Sequence, residues 1–190
     1  MLFKESDALR DIWAAVRHEW HRATLDHKHP FRFVSLATLS GDQPDVRYLV
    51  LRAMDEQHRF YCYTDSRSQK IVQLRENPAL SLLFYHPKKR CQVKVQGTAN
   101  IHQQNKLSRK HWDKVQGEAQ KAYQASLPPG QEIDGPTEAH SWEADQGDDH
   151  FVVLEIQPKT VDCLQLNGLS HLRAVFKLEG NSWTGQWLAP

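Results

Sequence analysis

The feature that most constrains this chain is a succession of short strand-like runs joined by turns too brief to hold a crossover helix. Phe-Arg-Phe-Val-Ser-Leu-Ala-Thr-Leu at 31–39 turns at Gly41-Asp42-Gln43-Pro44 into a run around Arg47 to Arg52. Asp55-Glu56-Gln57-His58 turns into the run at 59–64. Ala79 to His86, read as a strand buried on both faces, is followed by the basic turn Pro87-Lys88-Lys89 and the alternating run Arg90 to Ile101. Phe151 to Ile156, Val161 to Leu166, His171 to Leu178 and Ser182 to Leu188 follow, the last two joined at Glu179-Gly180-Asn181. Parallel neighbours need a crossover of about a dozen residues, so about eight consecutive strands of this kind pair antiparallel and close most naturally into a small barrel.

Two helical regions flank the strands. Leu9, Trp13, Val16 and Trp20 fall on one face of a helix over residues 6 to about 25, with Ser6 or Asp7 as its cap. Residues 103–125 carry a second helical pattern through Leu107, Trp112 and Val115, continuing at Ala119, Ala122 and Tyr123. Leu127 to Asp149 holds three prolines, three glycines and seven acids with no Lys or Arg, the composition of a long, mobile, irregular loop. His21, His27 and His29 cluster near the first helix end, but His29 precedes Pro30 and the three lack a ligand geometry. They read as a solvated connector, and no metal site is expected.

Composition removes several function classes. Net charge is +1 from 24 basic and 23 acidic side chains, so no field for nucleic acid or a membrane surface exists. No apolar run reaches the roughly 18 residues of a membrane span, and Met1-Leu2-Phe3-Lys4-Glu5 does not read as a signal peptide. Cys62, Cys91 and Cys163 are far apart and odd in number, which suits reduced core thiols and a cytoplasmic location. Six tryptophans lead to the expectation that some line an interface or a ligand pocket. Neither GxGxxG, a Walker loop, HExxH nor GxSxG occurs.

The stretch from Arg47 to Lys70 carries the chemistry. Arg47-Tyr48-Leu49-Val50-Leu51-Arg52 alternates, with Tyr48, Val50 and Arg52 on one face and Arg47, Leu49 and Leu51 on the other. Arginines in an apolar strand need an anion or a carboxylate, because a buried guanidinium is otherwise costly. Phe60-Tyr61-Cys62-Tyr63-Thr64-Asp65 ends in Ser66-Arg67-Ser68-Gln69-Lys70, hydroxyls and cations at a helix start, where free N–H groups favour phosphate. Two readings stand at this point: a phosphate-bearing cofactor held by Arg47, Arg52 and Ser66 to Lys70, or a plain hairpin with surface arginines and a Ser N-cap.

Four motifs in order resemble the FMN-binding split barrel of the pyridoxamine 5′-phosphate oxidase family. They are Arg47 to Arg52; Tyr63-Thr64-Asp65-x-x-Ser68-Gln69-Lys70 with Asn77-Pro78; Arg90-Cys91-Gln92-Val93-Lys94-Val95-Gln96-Gly97; and His171-Leu172-Arg173 with the closing Trp187-Leu188-Ala189-Pro190. The resemblance covers roughly 31–101 and 150–190. It implies one domain over 1–190, mainly β with flanking helices: an antiparallel, Greek-key-like split β-barrel. It also implies a homodimer with FMN in clefts at the interface. Arg47 and Lys70 are then phosphate ligands of FMN, Ser68 adds a hydroxyl, and Gln69 stands beside them. Tyr63 and Thr64 lie along the ribityl chain or ring. The backbone from Tyr48 through Leu49 and Val50 to Leu51 faces the pyrimidine edge. Gln92 meets the ring, and Arg173 is supplied from the other subunit. Cys91, Phe60 and Tyr61 are expected to pack rather than to touch the cofactor.

The departures concern the substrate. The family's Arg-x-His is Leu169-Ser170-His171 here, its lysine at the end of the first motif is Arg52, and its Arg-Lys pair is Gln69-Lys70. Its late tryptophan corresponds to Leu164, and its substrate-phosphate helix has no secure equivalent, although His111, Lys114, Lys121 and Ser126 are available. The leading expectation is an FMN-dependent oxidoreductase on a small molecule, with Arg52, His171 and Arg173 at the flavin face. Within it His171 is the candidate proton donor or acceptor. An authentic pyridoxamine or pyridoxine 5′-phosphate oxidase and a non-catalytic flavin-binding protein are the alternatives.

Overall fold

The hairpin of β1 (Phe33–Ser40) and β2 (Gln43–Met54) pairs in full antiparallel register from Phe33–Val50 to Ser40–Gln43. The computed structural model describes residues 1–142 and 147–190. β3 (Phe60–Asp65) returns beside β2, and α2 (Gln69–Glu76) carries the chain back so that β4 (Ala79–His86) pairs with β1. The order β3-β2-β1-β4 is a Greek key. β5 (Cys91–Gln103) and β6 (Phe151–Gln165) follow, and β6 pairs with β3 to close six antiparallel strands into a barrel. β7 (Leu172–Glu179) and β8 (Ser182–Leu188) extend the sheet beyond the closure.

β6 has two tasks along its 15 residues. Phe151 to Ile156 pairs with β3, and Thr160 to Gln165 pairs with β7, while β5 runs along both parts. The sequence pattern gives two runs here, Phe151 to Ile156 and Val161 to Leu166; the structure joins them in one strand. A register shift between Gln96 and Gly97 leaves Lys159 as the extra residue of β6, a bulge between Thr160 opposite Gln96 and Pro158 opposite Gly97. Gly97 is fixed by space: a Cβ there would lie 2.1 Å from the Gln157 carbonyl oxygen.

Further expectations are corrected by tertiary context. β4 is not buried on both faces, for Leu83 and Tyr85 are 40% and 45% exposed while Leu82 and Phe84 are buried. The 103–125 pattern is not one helix. β5 runs to Gln103, α3 (Lys106–Trp112) starts at an Asn105–Ser108 capping box, and Gly117 at φ 57° breaks the path before α4 (Glu118–Lys121). The 127–149 segment holds a 3-10 turn at Pro136–Ala139, and residue 142 bridges back to Ala125; residues 143–146 of that segment lie outside the described residues.

α1 (Leu9–Leu25) buries Ile12, Val16, Trp20 and Ala23 against the barrel. Neither Ser6 nor Asp7 caps it: Ala8 is the N-cap, and the Asp7 carboxylate accepts from the Lys4 amide instead. Its other end is held by Arg32, buried, donating to the carbonyls of Ala23 and Thr24 at 3.3 and 3.2 Å. Trp20 packs on Phe60 at 4.9 Å, and Trp13 on Trp183 at 4.7 Å and Phe176 at 5.1 Å, so these tryptophans build core rather than a pocket.

His29 is not in a solvated connector. It is buried, and with His86 and Lys89 it surrounds the buried Glu19 carboxylate: His29 Nε2 at 3.2 Å, His86 Nε2 at 3.7 Å and Lys89 Nζ at 2.8 Å. Arg22 and the exposed His18 stand at 3.7 and 3.6 Å. This hub ties α1 to the barrel end through β4 and the turn after it. Burial alone would raise the Glu19 pKa, but the bond and charge of Lys89, then of His29, hold it below its usual 4.5. Burial lowers His29 and His86 below 6.5 against the pull of Glu19.

Two outcomes are expected. Gly97→Ala lowers stability by about 1–3 kcal/mol, because the Cβ and the Gln157 carbonyl cannot both keep their places; a chemical denaturation curve reads this. All three hub groups titrate lower when folded, so the unfolded chain binds more protons at acid pH. Stability is therefore complete above pH 6.5 and falls first through the histidine range, then again below 4.5. Glu19→Ala removes the carboxylate step and costs about 3–5 kcal/mol at neutral pH, seen in melting curves across pH.

Candidate functional site

β2 leaves an open edge. It bonds β1 over residues 43–50 but reaches β3 only from Leu51 to Met54, after an irregularity between Leu51 and Ala53. Among the described residues the backbone from Arg47 to Val50 therefore has no strand partner on the side away from β1. The first turn of α2 lies next to this edge. Ser68 occupies its N-cap position, but the Ser68 hydroxyl donates back to the Asp65 carbonyl at 2.7 Å and caps nothing. The amide of Ile71 is bonded to the Ser68 carbonyl, and the Gln69 and Lys70 amides ahead of it belong to the first turn, which has no partner carbonyl within the helix.

Here the structure brings together Arg47, Thr64, Ser68 and Lys70. Lys70 Nζ donates to Thr64 Oγ1 at 3.0 Å, and Thr64 Oγ1 stands 3.3 Å from Ser68 Oγ. Burial and then the Arg47 charge lower the Lys70 pKa, against Asp65 and Asp45. Arg47 is held by Gln73, whose Oε1 accepts from Arg47 Nη2 at 3.0 Å and from Thr38 Oγ1 at 2.6 Å. Gln73 Nε2 donates to Asp45 at 2.9 Å, and Arg47 also contacts Thr38 and Asp45. Gln73 escapes a search for charged ligands. Its signal is a polar residue on the inward face of α2, between the buried Ile71 and Leu74. Gln69 is exposed; Leu49 points into the core and leaves only its backbone to face the edge, whereas Leu51, also in the core, is already paired with Cys62 of β3.

A second group surrounds Arg52. The Arg52 guanidinium carbon lies 5.4 Å over the Tyr63 ring, and Arg52 Nε is buried without a partner. The Tyr63 hydroxyl is 2.9 Å from His111 Nδ1, and the His111 ring stacks on Tyr61 at 5.2 Å. Burial, then Lys114 and Lys110, push His111 down to about 4, so it is neutral at pH 7. Arg67 closes this side. It pairs with Asp65 at 2.7 Å and donates to the carbonyls of Ala125 and Ser126 at 2.8 and 3.2 Å, tying the segment after α4 to the turn that presents Ser68.

Gln92 and Arg173 are elsewhere. Residues directly opposite across strands share a face. Tyr85, Gln92, Leu164 and Arg173 form one such row on the outer face, and Tyr48, Ser35, Leu83, Lys94 and Asp162 form the next. Arg47 belongs to the row of Leu36, Leu82 and Val95, on the inner face. By strand steps β2 is three from β5, and through β3 and the β3–β6 closure it is three from β7, so what separates Arg47 from Gln92 and Arg173 is the face of the sheet. One protomer therefore does not bring Gln92 or Arg173 to Arg47 and Lys70. The outer face carries a groove of about 520 Å³ lined by Pro30, Phe33, Ser35, Tyr48, Leu83, Tyr85 and Gln92. Phe33 and Tyr48 are 57% and 72% exposed there. His171 sits apart, exposed in the turn before β7, with Nδ1 accepting from the Asn167 amide at 3.0 Å.

Among the described residues one group has the composition of a metal site: Glu19, His29 and His86, with their ligand atoms within 4.8 Å of one another. The hydrogen bonds argue against it. The amides of Phe31 and Lys89 donate to Nδ1 of His29 and His86 at 3.1 and 3.2 Å. Each neutral ring then carries its proton on Nε2, the atom that faces Glu19, so the cavity presents donors to a carboxylate rather than lone pairs to a cation.

Residues 11–103 match the family model described as pyridoxamine 5′-phosphate oxidase, FMN-binding domain. A pyridoxine/pyridoxamine 5′-phosphate oxidase of Crocosphaera subtropica is 42% identical over 67 residues, 35% of this chain and 31% of that protein. The same-named protein of Cupriavidus pinatubonensis is 29% identical over 130 residues, 68% of this chain and 55% of its own length. The chain thus spans between about a third and about half of these curated relatives. In fold it is similar to a pyridoxamine 5′-phosphate oxidase-related, FMN-binding protein of Nostoc punctiforme, with TM-score 0.78, 22% identity and coverage of 93% and 96% of the two chains. It is similarly close to PhzG of Burkholderia lata, solved with tetrahydrophenazine-1-carboxylic acid, with TM-score 0.77, 18% identity and coverage of 100% and 98%.

Arg67→Ala cuts the tie between the Asp65–Ser68 turn and residues 125–126. The expected result is faster cleavage within 118–142 under limited proteolysis, with a stability loss of about 1–3 kcal/mol from the exposed carbonyls and unpaired Asp65.

Proposed function

We propose that this chain, whose residues 11–103 carry the FMN-binding domain of the pyridoxamine 5′-phosphate oxidase family, is an FMN-dependent oxidoreductase acting on a small molecule, with FMN held between two copies. The observation that carries this reading is the convergence of Arg47 and Lys70 on the open edge of β2, beside the hydroxyls of Thr64 and Ser68 and the start of α2. These are the donors a phosphate monoester uses: a guanidinium fork, a point charge, hydroxyls and first-turn helix amides. Lys70 forms no ion pair among the described residues, while Arg47 is paired with Asp45; burial and the Arg47 charge destabilise the Lys70 ammonium, and an anion beside it relieves that cost. The residues fit the group.

FMN, when bound, supplies the two-electron chemistry. The protein holds its phosphate through Arg47, Lys70 and Ser68, and offers the free backbone of Tyr48 to Val50 to the polar edge of the ring. Gln92 and Arg173 lie on the other face of the sheet, so they serve a ligand at Arg47 only from a second copy. The apolar groove between Phe33 and Tyr85 supports that pairing, since an exposed patch of this kind marks a surface that is covered in use. Arg52, half-buried with Nε unsatisfied, is the cation left for an anionic substrate group. His171 supplies the titratable group on the partner-facing rim. Leu169 brings no charge to that rim, so the authentic pyridoxamine phosphate oxidase reaction is not favoured.

Purified protein equilibrated with FMN is expected to show the bound-flavin absorption spectrum and to sediment as a dimer. Arg47→Ala and Lys70→Ala each weaken FMN about 10- to 100-fold, from about 1.5–3 kcal/mol of charge-assisted bonding, while leaving riboflavin affinity unchanged. A colourless protein that takes up no FMN, or equal losses for riboflavin, overturns the proposal.

A further inference from the structure

Asp162 is the one carboxylate in the two adjoining outer-face rows of Tyr48, Ser35, Leu83 and Lys94 and of Tyr85, Gln92, Leu164 and Arg173. It lies on β6, opposite Lys94 on β5 and Val175 on β7, with Arg173 two residues along β7 reaching it diagonally. Its Oδ1 accepts from Arg173 Nε at 3.0 Å and its Oδ2 from Nη2 at 2.7 Å; Lys94 Nζ stands 3.3 Å from Oδ2. The Arg173 bond and charge, with a smaller part from Lys94, hold the Asp162 carboxyl below the usual carboxylate range despite partial burial, so it stays charged.

The pairing is side-on. It uses Nε–H and one hydrogen of Nη2, and leaves both hydrogens of Nη1 and the second of Nη2 without a partner among the described residues. A free arginine side chain samples many rotamers; one gripped along this edge keeps its outer, two-nitrogen edge pointing one way. Leu164, directly between Gln92 and Arg173, is apolar and cannot supply that grip.

We infer that Asp162 is the positioning residue for Arg173, aiming its free guanidinium edge across the subunit boundary at acceptor atoms of the FMN bound by the partner. This rests on the cofactor and dimer reading above. Asp162 itself touches no ligand; its effect runs wholly through Arg173. A surface ion pair that merely joins β6 to β7 would behave differently, because removing it would change the melting point without changing how the ligand is held.

The test is a double-mutant cycle on FMN affinity, read by quenching of flavin fluorescence, with the visible circular dichroism of the bound flavin as a second readout. Asp162→Asn is expected to weaken FMN about 10-fold and Arg173→Ala by as much or more, with both altering the flavin dichroism. In the Arg173→Ala background Asp162→Asn adds no further loss. Asp162→Glu restores most of the affinity, which also separates the effect from misfolding. Unchanged affinity in a folded Asp162→Asn protein, or a full 10-fold loss added on top of Arg173→Ala, overturns the inference while leaving FMN binding intact. Wild-type protein that takes up no FMN overturns the cofactor reading and this inference together.

Discussion

The pairing of β6 along both of its edges is the constraint on which the rest of the structure depends. One half closes the barrel against β3; the other half carries β7 and β8 outward. β5 accompanies both halves, and the strand must bend between them without losing its ladder. The bulge at Lys159, between Pro158 opposite Gly97 and Thr160 opposite Gln96, provides that bend, and Gly97 lets the two backbones approach closer than any Cβ allows. Closure also decides where β2 is paired. With β3 committed to β6, it meets β2 only at the far end, and the edge from Arg47 to Val50 is left open beside α2.

Two clusters show opposite uses of buried charge. Around Glu19 every neighbour donates: two imidazole Nε2 atoms and an ammonium converge on a carboxylate, and the histidine tautomers are set by backbone amides on their other nitrogens. The cluster is complete without a ligand and serves to hold α1 on the barrel. Around Lys70 the neighbours are hydroxyls and another cation, with Gln73 fixing Arg47 in place. Arg47 is met there by Asp45, and the Lys70 ammonium is left with hydroxyls and no ion pair among the described residues. The first arrangement ties elements together; the second suits an anion that arrives from outside.

The alternation of the strands, the apolar stripe of α1 and the turn residues between hairpins made the antiparallel barrel and its closing hairpin legible, because these signals are local. The placement of Arg47, Ser68 and Lys70 was legible for a related reason: strand, turn and helix follow one another within 24 residues, so their neighbourhood is set by short-range geometry. Gln73, Asp162 and the Glu19 hub were not legible. Each joins residues distant in sequence, and no spacing rule announces that His29 and His86 will meet the same carboxylate. The helix expected through 103–125 failed where Gly117 adopts a positive φ, and the histidines near α1 divided, with His29 buried while His21 and His27 stayed exposed.

By itself, the amino-acid sequence determined the strand content, the antiparallel connections, the inward and outward alternation of most strands and the chemical character of the Arg47–Lys70 stretch. Those properties follow from side-chain period, turn chemistry and helix-start preferences, which act over a few residues. Only the tertiary structure decided that Arg47 and Lys70 share one open edge, whereas Gln92 and Arg173 lie on the opposite face several strands away. Faces and strand order are set by closure, and closure is a long-range event in which β3 and β6, separated by some 90 residues of chain, find each other's free ladder groups.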